Sequence, residues 1–509
     1  MEMTEGQSET ITPREDADKQ NVSWLILVVL ALAQFMLIVD ATIVNIALPS
    51  IQHTFNMTDA NLQWIVTAYA LTFGGFLLLG GRTADLFGRK VTFMVGLVAF
   101  TLASLGSGLS NNGELLIVFR AIQGLAGAFM SPAALSIVLV TYSEGATRNT
   151  ALAIWGAVAA AGGALGVLLG GIFTQYLGWR WNFFINIPIG VIVFAAAMRL
   201  VPSYSPGPGK KSLDLLGATL VTGGLVSLVY GLAQAPTWGW ASSKTIICFG
   251  VAIAALVAFV INERIVKQPL MPLRIFRIGN VAGADLLMLL LSAGVFSAFF
   301  FGTLYTQEIL GFSAIKAGVS FTIIPLCIAI AATIVPRLVK RIGFQPILIG
   351  APMMVAAGLF YLSGIPIDGK FWSDLAPGFA MIGLGMGATF VTTTIAATSG
   401  VPGSLSGLSS GLITTSQQIG GAIGLGALTS IVTSSISRYF ASIYVRGTSK
   451  GLASAESAVH GFQVAFLIGG FVAISAALLA IVLIRQPEAT RQRQEDQSPD
   501  FGGAPADAA

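Results

Sequence analysis

The sequence predicts an all-α polytopic membrane protein with fourteen transmembrane helices (14 TM), and two observations lead to this prediction. The first is composition: of 509 residues, 55% are hydrophobic and only 10% are charged, with a mean hydropathy of +0.81. Ordinary soluble domains carry about 25% charged residues. The second is the length of the apolar runs, many of which exceed the ~18 residues that mark a transmembrane helix. Length alone would suggest several soluble domains, but these runs exclude that interpretation.

Fourteen candidate spans follow one another along the chain, and an even count places both termini on one side of the membrane. Their approximate limits are 24–47, 62–80, 92–110, 115–139, 151–176, 184–200, 214–235, 245–262, 281–306, 317–336, 346–364, 376–397, 411–435 and 461–484.

The Lys and Arg residues indicate which side holds the termini. If both termini are cytoplasmic, the tails and inner loops hold 19 of the 27 Lys and Arg residues, the outer segments hold 7, and Arg120 is embedded. Cytoplasmic loops of membrane proteins carry an excess of these residues. We therefore expect a multi-pass protein of the cell membrane with both termini in the cytoplasm.

Two long inner connections, near 200–213 and 263–280, bracket spans 7 and 8 and leave six spans on each side. The polar first residues are typical of a cytoplasmic tail, and the Gln- and Pro-rich end is typical of disorder. The predicted division is a tail at 1–22, a six-helix bundle at 23–201, a linker with helices 7 and 8 at 202–280, a second six-helix bundle at 281–485 and a disordered cytoplasmic tail at 486–509.

The two halves carry a faint internal repeat. The loop after span 2 reads "GGRTADLFGRK" and the loop after span 10 reads "PRLVKRIGFQP". Aligned on Gly88 and Gly343, both loops place basic residues beside a glycine in a tight turn. Parallel halves of this kind are one known transporter architecture.

Two charged residues lie inside apolar spans. Asp40 follows a run from Trp24 to Val39 in which only Gln34 is polar, and Arg120 lies within span 4. A charge at the centre of an apolar helix costs roughly 2.5–3.5 kcal/mol on insertion scales. At 1.5 Å per residue, both residues lie roughly 8–11 Å below the outer boundary, so they can interact directly or through water and polar side chains. A purely structural ion pair is the alternative, but embedded ionisable residues are functional candidates by default, and we assign Asp40 and Arg120 to proton coupling.

The loop "GGRTADLFGRK" joins two helices through a very short turn. Gly81 and Gly88 permit close backbone approach and unusual dihedral angles. Asp85 can cap a helix or pair with an arginine such as Arg89, with Lys90 beside it. The alternative is a simple positively charged inner loop.

Span 5 is rich in glycine, including Gly166, Gly170 and Gly171. Small residues at four-residue spacing let helices approach closely. On the residues alone, static packing competes with a role in gating.

Several of these motifs resemble the major facilitator superfamily. The loop resembles the signature between helices 2 and 3 of that superfamily, and four segments resemble its fourteen-helix drug:proton antiporter branch: "LIVDATIVNIALP", "QWIVTAYAL", "RAIQGLAGA" and "WRWNFFINIP". The resemblance implies the major facilitator fold, with two six-helix bundles plus two extra central helices, and transport by alternating access.

The resemblance also implies that span 5 packs against the other bundle and closes the inner side. The implied conformational switch comprises Gly81, Asp85, Gly88, Arg89, Lys90, Gly166, Gly170 and Gly171. Two positions depart from the family pattern: Leu86 replaces a basic residue after Asp85, and Val167 replaces a proline in span 5.

A lipophilic ligand needs an apolar cavity with a few polar groups, and aromatic faces attract organic cations. The candidate substrate-cavity residues are Gln34, Asn45, Trp64, Tyr69, Gln123, Trp155, Phe296, Phe300 and Gln417. Lipid-facing packing is the alternative for the aromatic residues of span 9. In that span Asp285 is expected to reach water by snorkelling at the inner end, and Glu308 is expected at the outer interface.

The resemblance implies a proton-coupled multidrug efflux antiporter that exports lipophilic cationic compounds, and the embedded charges alone do not separate this from other transport. The antiporter's expected partners are the small-molecule substrate, protons and membrane lipid, with no nucleic acid; it is expected to work as a monomer and to use the proton-motive force without a cofactor. A narrow-substrate transporter, whether a metabolite exporter or a nutrient importer, is the alternative.

An enzyme is not expected, because His53 and His460 lack metal-ligand spacing and no nucleophile motif is present. A sensor or scaffold would not need the embedded Asp–Arg pair. Cys248 and Cys327 fall in apolar runs and support neither a disulfide nor a metal site.

Overall fold

The computed structural model describes residues 13–142, 146–203, 213–399, 401, 403–444 and 449–484. Over those ranges the secondary structure is helical, without a strand, and fourteen segments are long and apolar enough to cross a membrane. The predicted all-α membrane fold with fourteen spans is therefore confirmed. The predicted tail at 486–509 and residues 1–12 of the predicted tail at 1–22 lie outside the described residues, whereas residues 13–22 belong to the first helix.

The first six spans are built from eight helices. Within this half α3 packs against α5, α4 packs against α5, and α1 packs against α6 and α8. The helices are α1 (Pro13–Phe55), α2 (Asp59–Leu62), α3 (Trp64–Phe87), α4 (Arg89–Leu109), α5 (Gly113–Thr141), α6 (Ala146–Tyr176), α7 (Trp181–Phe184) and α8 (Asn186–Leu200).

The two middle spans are α9 (Leu215–Trp238) and α10 (Ser243–Ile265), which pack against each other. A 3₁₀ turn at Leu273–Arg277 leads into the last six spans. These comprise α11 (Val281–Leu304), a π-helical turn at Tyr305–Ile309, α12 (Ala314–Phe321), α13 (Ile323–Ile342), α14 (Gln345–Leu362), a π-helical turn at Phe371–Leu375, α15 (Ala376–Thr398), α16 (Gly403–Tyr444) and α17 (Lys450–Leu483).

The last six spans form the second bundle. In it α11 packs against α16 and α17, and α14 packs against α15 and α17. Helix α9 of the middle pair contacts both α3 and α16, so the inserted pair lies beside both halves.

The internal repeat has a structural counterpart in two glycine turns. Gly88 separates α3 from α4 with φ of +107°, and Gly343 ends α13 with φ of +77°. Both values lie in the region that L-residues with a Cβ avoid. The same turn chemistry therefore occurs at equivalent places in the two halves.

The end of the molecule where α1 begins and α17 ends is called here the terminal end, and the other is the opposite end. At the opposite end the two halves are in direct contact. The side chain of Gln307 donates a hydrogen bond of 2.9 Å to the carbonyl oxygen of Ile46, and the backbone N–H of Ile315 donates one of 3.2 Å to Gln175 Oε1.

Helix α6 is more open toward the terminal end. A Cβ added at Gly156 would meet no atom within 4 Å, and neighbouring Ile154 is 37% exposed. The same helix is tightly packed near Gly171, where an added Cβ would lie 2.6 Å from the carbonyl oxygen of Ala314 in α12. In this structure α6 is therefore packed against the second half near the opposite end.

Several predicted spans differ from the observed helices in extent. Spans 13 and 14, predicted at 411–435 and 461–484, are observed at Leu408–Tyr444 and Lys450–Leu483. Hydropathy reports the apolar part of a helix, whereas backbone hydrogen bonding continues into polar sequence. Spans 2, 6 and 10 each contain a short break between two helices, for which the apolar pattern gives no signal.

Candidate functional site

The two embedded charges form a direct ion pair in the first half. Arg120 Nη1 of α5 lies 2.5 Å from Asp40 Oδ2 of α1, and the two residues are 1% and 0% exposed. Moving a charged group out of water costs several kcal/mol per ion. A buried arginine therefore needs a partner of this kind. The matched depth predicted from the sequence therefore corresponds to direct contact.

Two amide side chains complete the hydrogen bonding of the carboxylate. Gln123 Nε2 donates a bond of 3.0 Å and Asn186 Nδ2 donates one of 2.8 Å, both to Asp40 Oδ1. The same amide nitrogens also donate to Ser104 Oγ, at 2.7 and 3.2 Å respectively. We call Asp40, Arg120, Gln123, Asn186 and Ser104 the ion-pair cluster.

The remaining surface of Arg120 is also occupied. Its Nε donates a bond of 3.0 Å to the carbonyl oxygen of Ile65, and its Nη1 donates one of 3.0 Å to Gln123 Oε1. Its guanidinium carbon lies 4.4 Å from the centre of the Tyr69 ring. A cation over an aromatic face gains electrostatic stabilisation in addition to that from the ion pair.

Local sequence explains how these groups converge. Asn112 caps α5 by accepting a bond of 2.8 Å from the N–H of Leu115, which fixes where the helix starts. Arg120 and Gln123 are three residues apart and therefore share one helix face. Asn186 is the first residue of α8, directly after the break that follows α7.

The cluster is sealed in this state: all five of its residues are buried, and none is more than 1% exposed. The Asp40 carboxylate accepts hydrogen bonds from a guanidinium and two amides. Proton uptake by such a carboxyl would release the arginine and break the network. The arrangement can therefore link a proton to a change in helix packing, provided that another conformation gives the carboxyl access to water.

The structure places the predicted cavity residues in several environments. Gln123 and Tyr69 belong to or contact the ion-pair cluster. Gln34 accepts a long bond of 3.4 Å from Ser131, and Asn45 donates one of 3.1 Å to the carbonyl oxygen of Ala41 in its own helix.

The other predicted cavity residues are distributed over both halves. Trp64 lines a cavity of about 740 Å³ at the opposite end, together with Tyr230 of α9, and the two rings are 5.9 Å apart. Phe300 is buried against Phe301, whereas three others are half-buried: Trp155, Phe296 and Gln417. A shared substrate cavity for the predicted set stays a prediction.

The predicted switch loop lies at the terminal end. Asp85 and Arg89 form a 3.8 Å ion pair with side chains 54% and 28% exposed. Lys90 Nζ donates a bond of 2.9 Å to the carbonyl oxygen of Met198 in α8, and a Cβ on Gly81 would lie 3.7 Å from Pro132. Of the two roles considered for Asp85, the structure has the ion pair, because the residue lies in the last turn of α3 and not at a helix start.

Span 5 packs against α12 and α13 of the second half, as the resemblance implies, but not all of its glycines face that half and the contact is not at the inner side. Gly166 packs against Thr42 and Gly170 against Ile43, both in α1 of the same half. Gly171 does face the second half, at α12, but at the opposite end. The sequence gives the small residues but does not tell which neighbour fills each groove.

The expectation for Asp285 is wrong. Its carboxyl does not snorkel to water: the residue is only 5% exposed, although it lies one turn from the start of α11. Glu308 lies in the π-helical turn Tyr305–Ile309 and lines a cleft of about 720 Å³ between the halves, with His53 and Phe312.

Sequence reasoning missed Asn186 and Ser104. Asn186 lies within the segment "WRWNFFINIP". A polar residue inside an apolar span is a functional candidate, so the sequence did contain a signal for it. A single serine such as Ser104 gives no such signal, because its hydroxyl can bond to its own helix backbone.

Comparison with known proteins identifies one family and several relatives that are named as resistance or export proteins. A family model described as Major Facilitator Superfamily matches residues 30–425. The puromycin resistance protein of Streptomyces alboniger is 37% identical over 464 residues, which cover 91% of this chain and 91% of that protein. The cephamycin export protein of Amycolatopsis lactamdurans is 36% identical over 422 residues, covering 82% and 87%.

Solved structures agree in fold. A POT family transporter matches with a TM-score of 0.64 at 15% identity, covering 94% of this chain and 99% of that chain. A bacterial homologue of the lysosomal transporter Spinster matches with a TM-score of 0.62 at 16% identity, covering 94% and 99%. At these identities the match indicates a shared fold and nothing about the substrate.

Proposed function

The chain belongs to the major facilitator superfamily, and we propose that it is a proton-coupled antiporter that exports lipophilic cationic compounds by alternating access. Relatives named for resistance to puromycin and for export of cephamycin support efflux as the direction of transport. The observation that carries proton coupling is the sealed Asp40–Arg120 pair, because an ionisable group this deep in a membrane protein is costly to keep.

The charge distribution supports one orientation. With the terminal end in the cytoplasm, 19 of the 27 Lys and Arg residues lie on the cytoplasmic side. We propose that the protein lies in the cell membrane with both termini cytoplasmic. The opposite end, where Gln307 contacts Ile46, then faces outward.

In the proposed cycle Asp40 exchanges a proton for its contact with Arg120. In the present state the carboxylate accepts bonds from Arg120, Gln123 and Asn186. When the outer side opens, water reaches the carboxyl, a proton binds and Arg120 is released. When the inner side opens, the proton leaves to the cytoplasm and the ion pair forms again.

A lipophilic cation can compete with the proton for the same negative charge, which couples the two fluxes in opposite directions. An exchange of one proton for one monovalent cation moves no net charge, so the pH gradient alone drives it. The membrane potential, worth about 2.3 kcal/mol per charge at 100 mV, contributes only when more protons enter than substrate charges leave.

The contacts between the halves support alternating access. Gln307, Ile315 and Gly171 join the halves at the opposite end, whereas α6 is open around Gly156 toward the terminal end. Contact between the halves at the opposite end is what one state of alternating access requires. We further propose that one chain suffices for transport, surrounded by lipid, with the proton-motive force as its energy source and no cofactor.

The experiment measures dye retention in cells that lack their own efflux pumps. Cells with the wild-type chain should retain less ethidium than cells without it, and Asp40→Asn should abolish the difference. Asp368→Asn is a matched control, because it makes the same chemical change at an exposed loop residue. Unchanged retention across a panel of lipophilic cations would favour the narrow-substrate transporter.

A further inference from the structure

The second half contains a buried carboxyl whose surroundings are the reverse of those of Asp40. Asp285 in α11 is 5% exposed, and neither of its oxygens makes a hydrogen bond of normal geometry. Ser416 of α16 lies beside it as the nearest hydroxyl. Asp40, in contrast, accepts bonds from a guanidinium and two amides.

The residue that precedes Asp285 in α11 packs among apolar side chains. This residue, Ala284, packs in a buried cluster with Met288, Ala397 and Ile413, which come from α11, α15 and α16. An isolated carboxylate in such surroundings is far less favourable than the neutral acid, because nothing replaces its lost hydration.

Among the side chains that the structure describes, no charged group forms an ion pair with Asp285. The nearest in sequence, Arg274 and Arg277 in the 3₁₀ turn, are exposed, and neither forms an ion pair with Asp285. Asp40 on α1 is already paired with Arg120. Among the groups whose side chains the structure describes, the others lie toward the opposite end: His53 on α1, Tyr305 and Glu308 in the π-helical turn, Tyr361 on α14, Arg438, Tyr439 and Tyr444 on α16, and Lys450, Glu456 and His460 on α17.

The carboxyl also lies in a seam that connects the two halves. Helix α16 packs against α11 so closely that a Cβ on Gly420 would overlap the backbone of Leu289. The same helix meets α3 of the first half, where a Cβ on Gly74 would lie 2.9 Å from Gln418 Cβ. A charge appearing on Asp285 would need water in the α11–α16 seam, and any opening of that seam moves the helix that contacts α3.

We propose that Asp285 is a second proton-binding site, located in the second half, which is protonated in this conformation and releases its proton to water when the seam between α11 and α16 opens. The first half then carries a carboxyl paired with Arg120 and the second half a protonated one in the same state. The coupling role of this proton rests on the proposed proton-driven antiport, whereas its presence does not.

The presence of the proton is tested by infrared difference spectroscopy on the purified full chain at neutral pH. The carbonyl stretch of a protonated carboxyl should be present in the wild type, absent from Asp285→Asn and retained in Asp40→Asn. Asparagine has nearly the shape of the neutral acid, so Asp285→Asn should fold. If this variant does not fold, Ser416→Ala provides the readout, because removing the adjacent hydroxyl should shift the band frequency.

Absence of a protonated-carboxyl band that depends on Asp285 or Ser416 would overturn the proposal. This result is independent of transport and so does not depend on whether Asp40 couples the fluxes.

The coupling role is tested in reconstituted vesicles with ethidium as the probe. Asp285→Asn should keep export but move fewer protons per ethidium, and its rate should depend less on the pH of the terminal side than that of the wild type. Asp368→Asn is the matched control, because it makes the same chemical change at an exposed loop residue and should keep the wild-type proton count. An unchanged proton count and pH profile in Asp285→Asn would show that the buried acid is a fixed neutral group, which contradicts the coupling role.

Discussion

Asp40 and Arg120 are eighty residues apart in the chain and meet in a 2.5 Å ion pair that is closed to solvent. Because the pair is fully buried, neither group can exchange a proton without a change in conformation. Charge neutrality inside the first half is therefore tied to how its helices pack. A salt bridge on the surface would contribute only about 0–1 kcal/mol to stability and would not depend on helix packing in this way.

Asp40→Asn should give a protein that inserts and folds but cannot drive uphill export. The asparagine mimics the protonated acid, so the charge that binds and releases the proton is missing. We expect loss of export against a gradient and loss of substrate-induced proton release in reconstituted vesicles. Asp40→Glu should keep partial activity with a shifted pH profile, because it retains a carboxyl at a changed distance from Arg120.

Normal proton coupling in Asp40→Asn would show that another residue carries the proton. Asp285 and Glu308 would then be the next candidates, since both are acids that lie within a predicted membrane span.

Arg120→Ala should destabilise the fold more than the same substitution at an exposed arginine does. It leaves the Asp40 carboxylate buried and unpaired, and breaking a buried pair in this way costs about 3–5 kcal/mol. Thermal unfolding in detergent measures the effect, with Arg438→Ala as an exposed arginine control. The double variant Asp40→Asn/Arg120→Ala should recover part of the loss because no buried charge remains. Equal stability of the single and double variants would contradict this account.

The sequence predicted the features that depend only on distance along a helix axis. The depth of Asp40 and Arg120 follows from counting residues along two antiparallel spans, and the contact between them agrees with that count. The number of spans follows from apolar length in the same way. Both depend only on distance along a helix axis.

The sequence was uninformative where the rotation of a helix about its axis decides the contact. Asp285 lies near a helix end, which permits snorkelling, but its side chain points into the seam with α16. Gly166 belongs to a small-residue pattern that fits any neighbour, and the neighbour is α1 of its own half. Asn186 joins Asp40 only because of the short break before α8, for which hydropathy gives no signal.

Asp85→Asn should slow transport while leaving ligand affinity within a few-fold. The residue lies at the terminal end with its side chain 54% exposed and pairs with Arg89 at 3.8 Å, far along α3 from Tyr69 and the ion-pair cluster. An exposed pair contributes little to overall stability, so its effect should fall on the rate of switching. Transport rates in vesicles and binding in detergent separate the two quantities. An equal loss of binding and transport would contradict the assignment.

Gly166 and Gly156 lie on the same helix and should respond oppositely to the same change. A Cβ at Gly166 would overlap Thr42 Oγ1 and lie 3.1 Å from the carbonyl oxygen of Val39, whereas one at Gly156 would meet nothing within 4 Å. Overpacking a tight contact costs about 1–3 kcal/mol, and alanine in place of glycine within an open helix gains roughly 0.5–1 kcal/mol. Gly156→Ala should therefore be neutral or stabilising in thermal unfolding, and Gly166→Ala should be destabilising.

Gly166→Leu should extend this effect to function, because Thr42 is two residues from Asp40 on α1. Pushing α6 away from α1 displaces the segment that holds the carboxyl against Arg120, so we expect a folded protein that no longer exports ethidium. Thr42→Ala removes the hydroxyl that an added Cβ would overlap and should restore part of the stability lost in Gly166→Ala. Normal transport by Gly166→Leu, or no rescue by Thr42→Ala, would mean that α6 and α1 do not pack here during the transport cycle. The paired outcome therefore tests whether the helix beside Asp40 must remain in close contact for coupling.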